Sequence, residues 1–182
     1  MVPQEAVKIL NAGGVIIFPT ETLYGLGCDA TNAPALLKIY QIKNRPLGKA
    51  FPILVKDFSM LAEYASFTAE HKKIITSAKQ PTNFILKAKN LSPLAMQNHT
   101  AAFRIARHPW LKQVFRYFDK PIVATSANIS GQPSLIDPRK YREIFGNKAK
   151  LIDAVVFNGI NRKKKGSKIL DLTKKPYQVL RA

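Results

Sequence analysis

Lys43, Arg45 and Lys49 fall in one short stretch whose backbone is broken by Pro46 and Gly48. Three cations in a shaped loop can grip several oxygens of a polyphosphate, arginine as a two-pronged fork and lysine as a point charge. The competing reading is a solvated basic helix end, favoured by the helix dipole. Thr125-Ser126-Ala127-Asn128 places small hydroxyl and amide groups directly after an apolar run. Such groups can hydrogen-bond a ligand and leave it room, although a cap or an Asx turn would use the same residues. Arg104 lies between Phe103 and Ile105 in an apolar segment. A guanidinium there is costly unless paired or facing a cleft, so it either binds a carboxylate or pairs with one of the few acids. Ser167 and Arg181 flank the last apolar runs. Arg181 lies so near the end that a disordered terminus is its alternative.

Val15-Ile16-Ile17-Phe18 has the length and β-branched content of a buried strand, and Pro19 ends its ladder. Thr20, Glu21, Thr22 and Tyr24 then emerge from the strand end, where open α/β sheets place ligands. Gly25 and Gly27 permit close backbone approach. An ordinary strand-to-loop exit would look similar. There is no Gly-x-x-x-x-Gly-Lys-[Ser/Thr] loop, and His71, His99 and His108 lack metal-ligand spacing. No Ser/His/Asp or Cys/His set stands out. Catalysis on such a chain would rest on positioning and electrostatics rather than on a protein nucleophile.

The elements that must hold these residues alternate between strand and helix. Helices are predicted over 3–11, from Asn32-Ala33-Pro34 to Lys43, over 68–78 with Thr68 as cap, and over 109–118. Asp137-Pro138 marks another helix start. Strands are predicted at 51–55, 82–87, 101–106 and 121–124, the last ending in Thr125-Ser126-Ala127-Asn128. Later strands are predicted at 151–152, 155–157, 168–172 and 178–180. No linker separates them, so residues 1–182 read as a single α/β domain, a twisted mixed β-sheet flanked by helices. On that reading the site residues converge because their strands share one sheet.

A hydrophobic content of 46% supports a core. No apolar run approaches the ~20 residues of a membrane span, and the N-terminus lacks a secretory pattern. The single cysteine, Cys28, excludes an internal disulfide and a cysteine zinc cluster, which fits a reducing, cytoplasmic setting. Cys28 reads as a packing residue. The chain carries 29 Lys+Arg against 11 Asp+Glu, a net charge of +18. Self-repulsion on that scale favours a polyanionic partner, nucleotide phosphates or nucleic acid.

Taken in order, Phe-Pro-Thr-Glu-Thr-Leu-Tyr-Gly-Leu-Gly at 18–27, Lys43-x-Arg45-Pro46, Arg104 and Thr125-Ser126-Ala127-Asn128-x-Ser130-Gly131 resemble the YrdC-like family, in its short form, the threonylcarbamoyl-AMP synthases. The resemblance implies a twisted α/β domain with a basic concave face. It implies a nucleotidyltransferase that uses L-threonine, bicarbonate or CO2, and ATP. N-carboxythreonine would attack the α-phosphorus, giving threonylcarbamoyl-AMP and pyrophosphate. A threonylcarbamoyl transferase complex would then modify the tRNA adenosine beside the anticodon.

By similarity, Thr22, Tyr24, Arg104 and Ser167 would form the threonine site, Arg104 pairing with the carboxylate. Lys43, Arg45 and Lys49 would hold the phosphates, with Lys43 and Arg45 the catalytic pair. Thr100, Ser126, Asn128, Ser134 and Arg181 would complete the ATP site. No protein metal site is implied, and Mg²⁺ would be held mainly by the triphosphate. Direct tRNA contact stays open.

Two departures stand out. The family's Trp-Pro-Gly-Pro-x-Thr-like stretch appears here as Ala78-Lys79-Gln80-Pro81-Thr82-Asn83, and its Pro-Ser-Thr as Gly166-Ser167-Lys168. The basic run Arg162 to Lys165 is expected to close over triphosphate or touch RNA. The alternatives are an RNA-binding or ribosome-associated module, for which no aromatic stacking motif is present, and a carbamoyl-transfer enzyme of hydrogenase maturation, whose acylphosphatase-like and zinc-finger regions are missing.

Overall fold

The computed structural model describes residues 1–161 and 166–182. Helix α1 (Pro3–Asn11) starts on proline and buries Ala6, Val7 and Leu10. Strand β1 (Ile16–Phe18) is fully buried and pairs antiparallel with β2 (Gly25–Gly27), Ile16 opposite Gly27. Helix α2 (Ala33–Lys43) is capped by Asn32, whose Oδ1 accepts the Ala35 N–H at 3.0 Å. It ends at Asn44 in the left-handed region, φ 49°, which asparagine tolerates. Strand β3 (Ile53–Val55), helix α3 (Phe58–Tyr64), strand β4 (Ala65–Ser66) and helix α4 (Ala69–Ser77) follow. Thr68 caps α4 as its sequence predicts.

Strands β5 (Thr82–Ala88) and β6 (Thr100–Ile105) lie antiparallel, Phe84 opposite Phe103. Helix α5 (Pro109–Val114) packs on α1. It is shorter than predicted, since Phe115 to Tyr117 continue as a turn. Strand β7 (Ile122–Val123) leads through Ala124 into β8 (Thr125–Ser126). Asp137 caps a 3₁₀ turn, Pro138–Lys140, before α6 (Tyr141–Phe145). The predicted strand at 151–152 is not formed: Leu151 ends a 3₁₀ segment, and the strand there is β9 (Ala154–Val155). Strands β10 (Lys168–Asp171) and β11 (Gln178–Arg181) close the chain.

These strands form two mixed sheets, not the one predicted. The first has the order β8-β2-β1-β9. The second runs β11-β10-β5-β6-β3-β7, with β4 paired to β5. The chain changes sheet between β7 and β8 in one residue. Around that crossing, Val123 N–H donates to Cys28 O at 2.9 Å and Ala124 N–H to Pro52 O at 2.8 Å. Gly27 makes the junction close enough, because a Cβ there would lie 1.9 Å from Val123 O. Its glycine is needed for space rather than for an unusual backbone angle.

Candidate functional site

The two sheets enclose a cleft of about 530 Å³. Thr22, Tyr24, Arg45, Thr100, Arg104, Ser126, Ser134, Ser167 and Arg181 line it, so these sequence-selected residues are brought together from both sheets. Thr22 lies within a tight turn in which Thr20 Oγ1 donates to Leu23 O at 2.6 Å and shares a 3.2 Å hydrogen bond with Thr22 Oγ1. The Tyr24 hydroxyl donates to Gly159 O at 2.7 Å and accepts the Asn158 N–H at 3.1 Å. Tyr24 therefore offers a ring wall to the cleft, while its phenol is committed inside the protein. Burial raises the phenol's pKa.

At one end of the cleft Arg104 is buried on β6. Its Nη1 donates to Ser167 Oγ. Arg181, far from disordered, donates from Nε to Ser167 O at 2.8 Å and from Nη2 at 2.5 Å. Two guanidinium groups thus flank one serine, which suits a carboxylate. Burial pulls the Arg104 pKa down, Glu21 opposes that, and Arg181 adds to it. At another wall Arg45 is steadied by Lys49 O (2.8 Å), Ala50 O (3.2 Å) and the face of Phe51, 4.9 Å from ring centroid to guanidinium.

Three expectations need correction. Lys43 does not line the cleft. Its side chain is buried, and Nζ donates to Ser126 O at 2.7 Å, Asn128 O at 2.8 Å and Asn128 Oδ1 at 2.9 Å. It braces the β8 turn instead of facing a phosphate. Burial, reinforced by Arg45, pulls its pKa down to about 7. Asn128 is also behind the wall. Its Oδ1 accepts from Lys43 and from Ser126 Oγ (2.7 Å), and its Nδ2 donates to Gln132 O at 2.6 Å. Lys49 is exposed outside the lining, and its contribution is the backbone oxygen bound by Arg45. The basic run Arg162 to Lys165 lies outside the described residues.

Sequence reasoning left two residues without a role. Asn83 on β5 lines the cleft, and its buried Oδ1 has no hydrogen-bond partner among the described residues. It falls in the stretch that departs from the family pattern, which was the available signal. Glu21 accepts the N–H groups of Arg107 (2.5 Å) and His108 (2.7 Å) and stands 3.5 Å from Arg104. Burial would raise its pKa, but Arg104 and these backbone donors outweigh that and hold it low. Among the described residues, no three His, Cys, Asp or Glu side chains gather as a metal-holding group.

Fold and cleft together define an α/β protein with Arg45, Arg104 and Arg181 gathered in one cleft between two mixed sheets. The chain belongs to the Sua5/YciO/YrdC family: residues 8–182 match its model, described as Telomere recombination. A Vibrio cholerae protein named threonylcarbamoyl-AMP synthase is 34% identical over 155 residues, 82% of each chain. The crystal structure of P. abyssi Sua5 complexed with L-threonine is similar at TM-score 0.86 and 29% identity. That match takes in 98% of this chain and 52% of the other, so the chain spans about half the length of that Sua5. E. coli YciO is similar at TM-score 0.86 and 26% identity, over 98% of this chain and 87% of YciO.

Proposed function

We propose that the chain is an L-threonylcarbamoyl-AMP synthase, a nucleotidyltransferase whose residues 1–182 act as one YrdC-like unit. The observation that carries the reading is the pairing of Arg104 and Arg181 around Ser167 in the same cleft as Arg45 and Ser126. The first group suits an amino-acid carboxylate, the second a nucleotide. The relatives' names and the threonine bound to P. abyssi Sua5 support the same substrates.

In this reaction the threonine nitrogen forms a bond to the carbon of CO2 and loses a proton, giving N-carboxythreonine. One oxygen of the new carboxylate bonds to the α-phosphorus of ATP while the bond to the β-phosphate oxygen breaks. Pyrophosphate leaves with that electron pair. Such a displacement spreads negative charge over phosphoryl oxygens, and fixed cations lower its barrier with little covalent work by the protein. Arg45 is the chain's cation for that role. Lys43 acts behind it by holding the Ser126 turn. Mg²⁺ carried by the triphosphate would supply further charge neutralisation, with Arg45 beside it. Thr22 and Tyr24 shape the threonine end, and Thr100 and Ser134 line the nucleotide path. A threonylcarbamoyl transferase complex and tRNA are the downstream partners, in the cytoplasm.

The test is pyrophosphate release from ATP with each amino acid, with and without bicarbonate. Release that needs both threonine and bicarbonate is expected, and Arg45→Ala should abolish it while leaving a folded protein. Salt-sensitive RNA binding without threonine-dependent release would instead mark an RNA-binding module.

A further inference from the structure

Glu21 lies on the far side of Arg104 from the cleft. It does not line the cleft but borders a second cavity of about 290 Å³. Arg104 lines both. The buried Arg104 is thus the residue shared between the two cavities. The Ser167 contact pins Nη1. The neighbouring charge of Arg181 opposes the charged form of Arg104, so a fixed counter-charge is needed beside it. Glu21 supplies it: Oε2 stands 3.5 Å from Nη2, with both side chains largely buried at 9% and 16% exposure. Glu21 is itself held, because Oε1 accepts the Arg107 and His108 N–H groups at 2.5 and 2.7 Å. A buried counter-charge fixed by backbone donors restrains its partner better than a mobile surface pair does.

We propose that Glu21 is the positioning residue of the amino-acid subsite: acting through Arg104, it sets where the substrate carboxylate binds, and it does not touch substrate. This rests on the threonine reading above.

Glu21→Gln is the isosteric test, since its amide oxygen still accepts from Arg107 and His108. Threonine KM should rise on the order of ten-fold, the scale of a misplaced binding group, with kcat and ATP KM within about two-fold. Arg104→Lys should raise threonine KM as well. Adding Glu21→Gln to it should change threonine KM by no more than about two-fold, because partners acting through one contact are non-additive. Threonine titrations by calorimetry give affinity independently of turnover. An unchanged threonine KM, an equal loss for ATP and threonine, or fully additive effects with Arg104→Lys would each overturn the proposal. If the wild-type chain shows no threonine dependence, the reading beneath it fails too, which is seen before any variant is compared.

Discussion

Lys43 shows how residue type and residue role can part. Its spacing from Arg45 suits a phosphate grip, yet its ammonium is enclosed by three oxygens of the Ser126–Asn128 turn. Those acceptors favour the charged form, whereas burial and Arg45 favour the neutral one, and the latter prevail in lowering the pKa to about 7. The unfolded chain then binds one more proton between pH 7 and pH 10. Stability contributed by this group therefore rises with pH across that window. Lys43→Met lacks the titration. Between pH 7 and pH 9 the wild type should gain about 2 kcal/mol relative to Lys43→Met in urea unfolding; a constant difference would show that Lys43 titrates normally. For Arg104→Ala, threonine affinity should fall at least about ten-fold, the loss of a charge-assisted pair, with ATP affinity largely kept. Calorimetry showing equal losses would remove its carboxylate role.

At the scale of elements, the junction of the two sheets decides the cleft. Strand β8 carries Ser126 into it while β7 belongs to the opposite sheet. Gly27 to Ala would drive a methyl into Val123 O, where an ideal Cβ stands at 1.9 Å, whereas at Gly25 the nearest atoms are 3.2 Å away. Gly27→Ala should cost about 3 kcal/mol by urea midpoint and weaken ATP binding, and Gly25→Ala about 1 kcal/mol or less. Equal costs would mean that the junction tolerates separation. Most elements were legible beforehand: caps at Asn32, Thr68 and Asp137 and the apolar runs of β1, β5 and β6 announce themselves locally. Strand β2 was not, because Gly-Leu-Gly has poor strand propensity and pairs only where glycine is sterically required. Helix α3 is short, and no signal beyond the Asp57 cap, which accepts from Met60 N–H, marks it.

For the whole molecule, a net charge of +18 belongs to association rather than to fold. If tRNA binds directly, raising salt from about 50 to about 200 mM should weaken it at least about a hundred-fold through counterion release. Pyrophosphate release, which depends on a few enclosed contacts, should change far less. Flat salt dependence of tRNA binding would place the excess charge outside recognition.

The sequence by itself determined the α/β class, the bounds of α1, α2 and α4 to within a residue, and the residues Thr22, Arg45, Arg104, Ser126 and Ser167 that line the cleft. These depend on local chemistry: caps, period, proline and polar groups at strand ends. Tertiary structure alone decided which side of the wall each residue occupies. Strand pairing across two sheets turns Lys43 and Asn128 inward, brings Arg181 from the chain's end to Ser167, and places Glu21 behind Arg104. Such placements depend on contacts between segments far apart in the chain, and a one-dimensional pattern of residue types does not encode their direction.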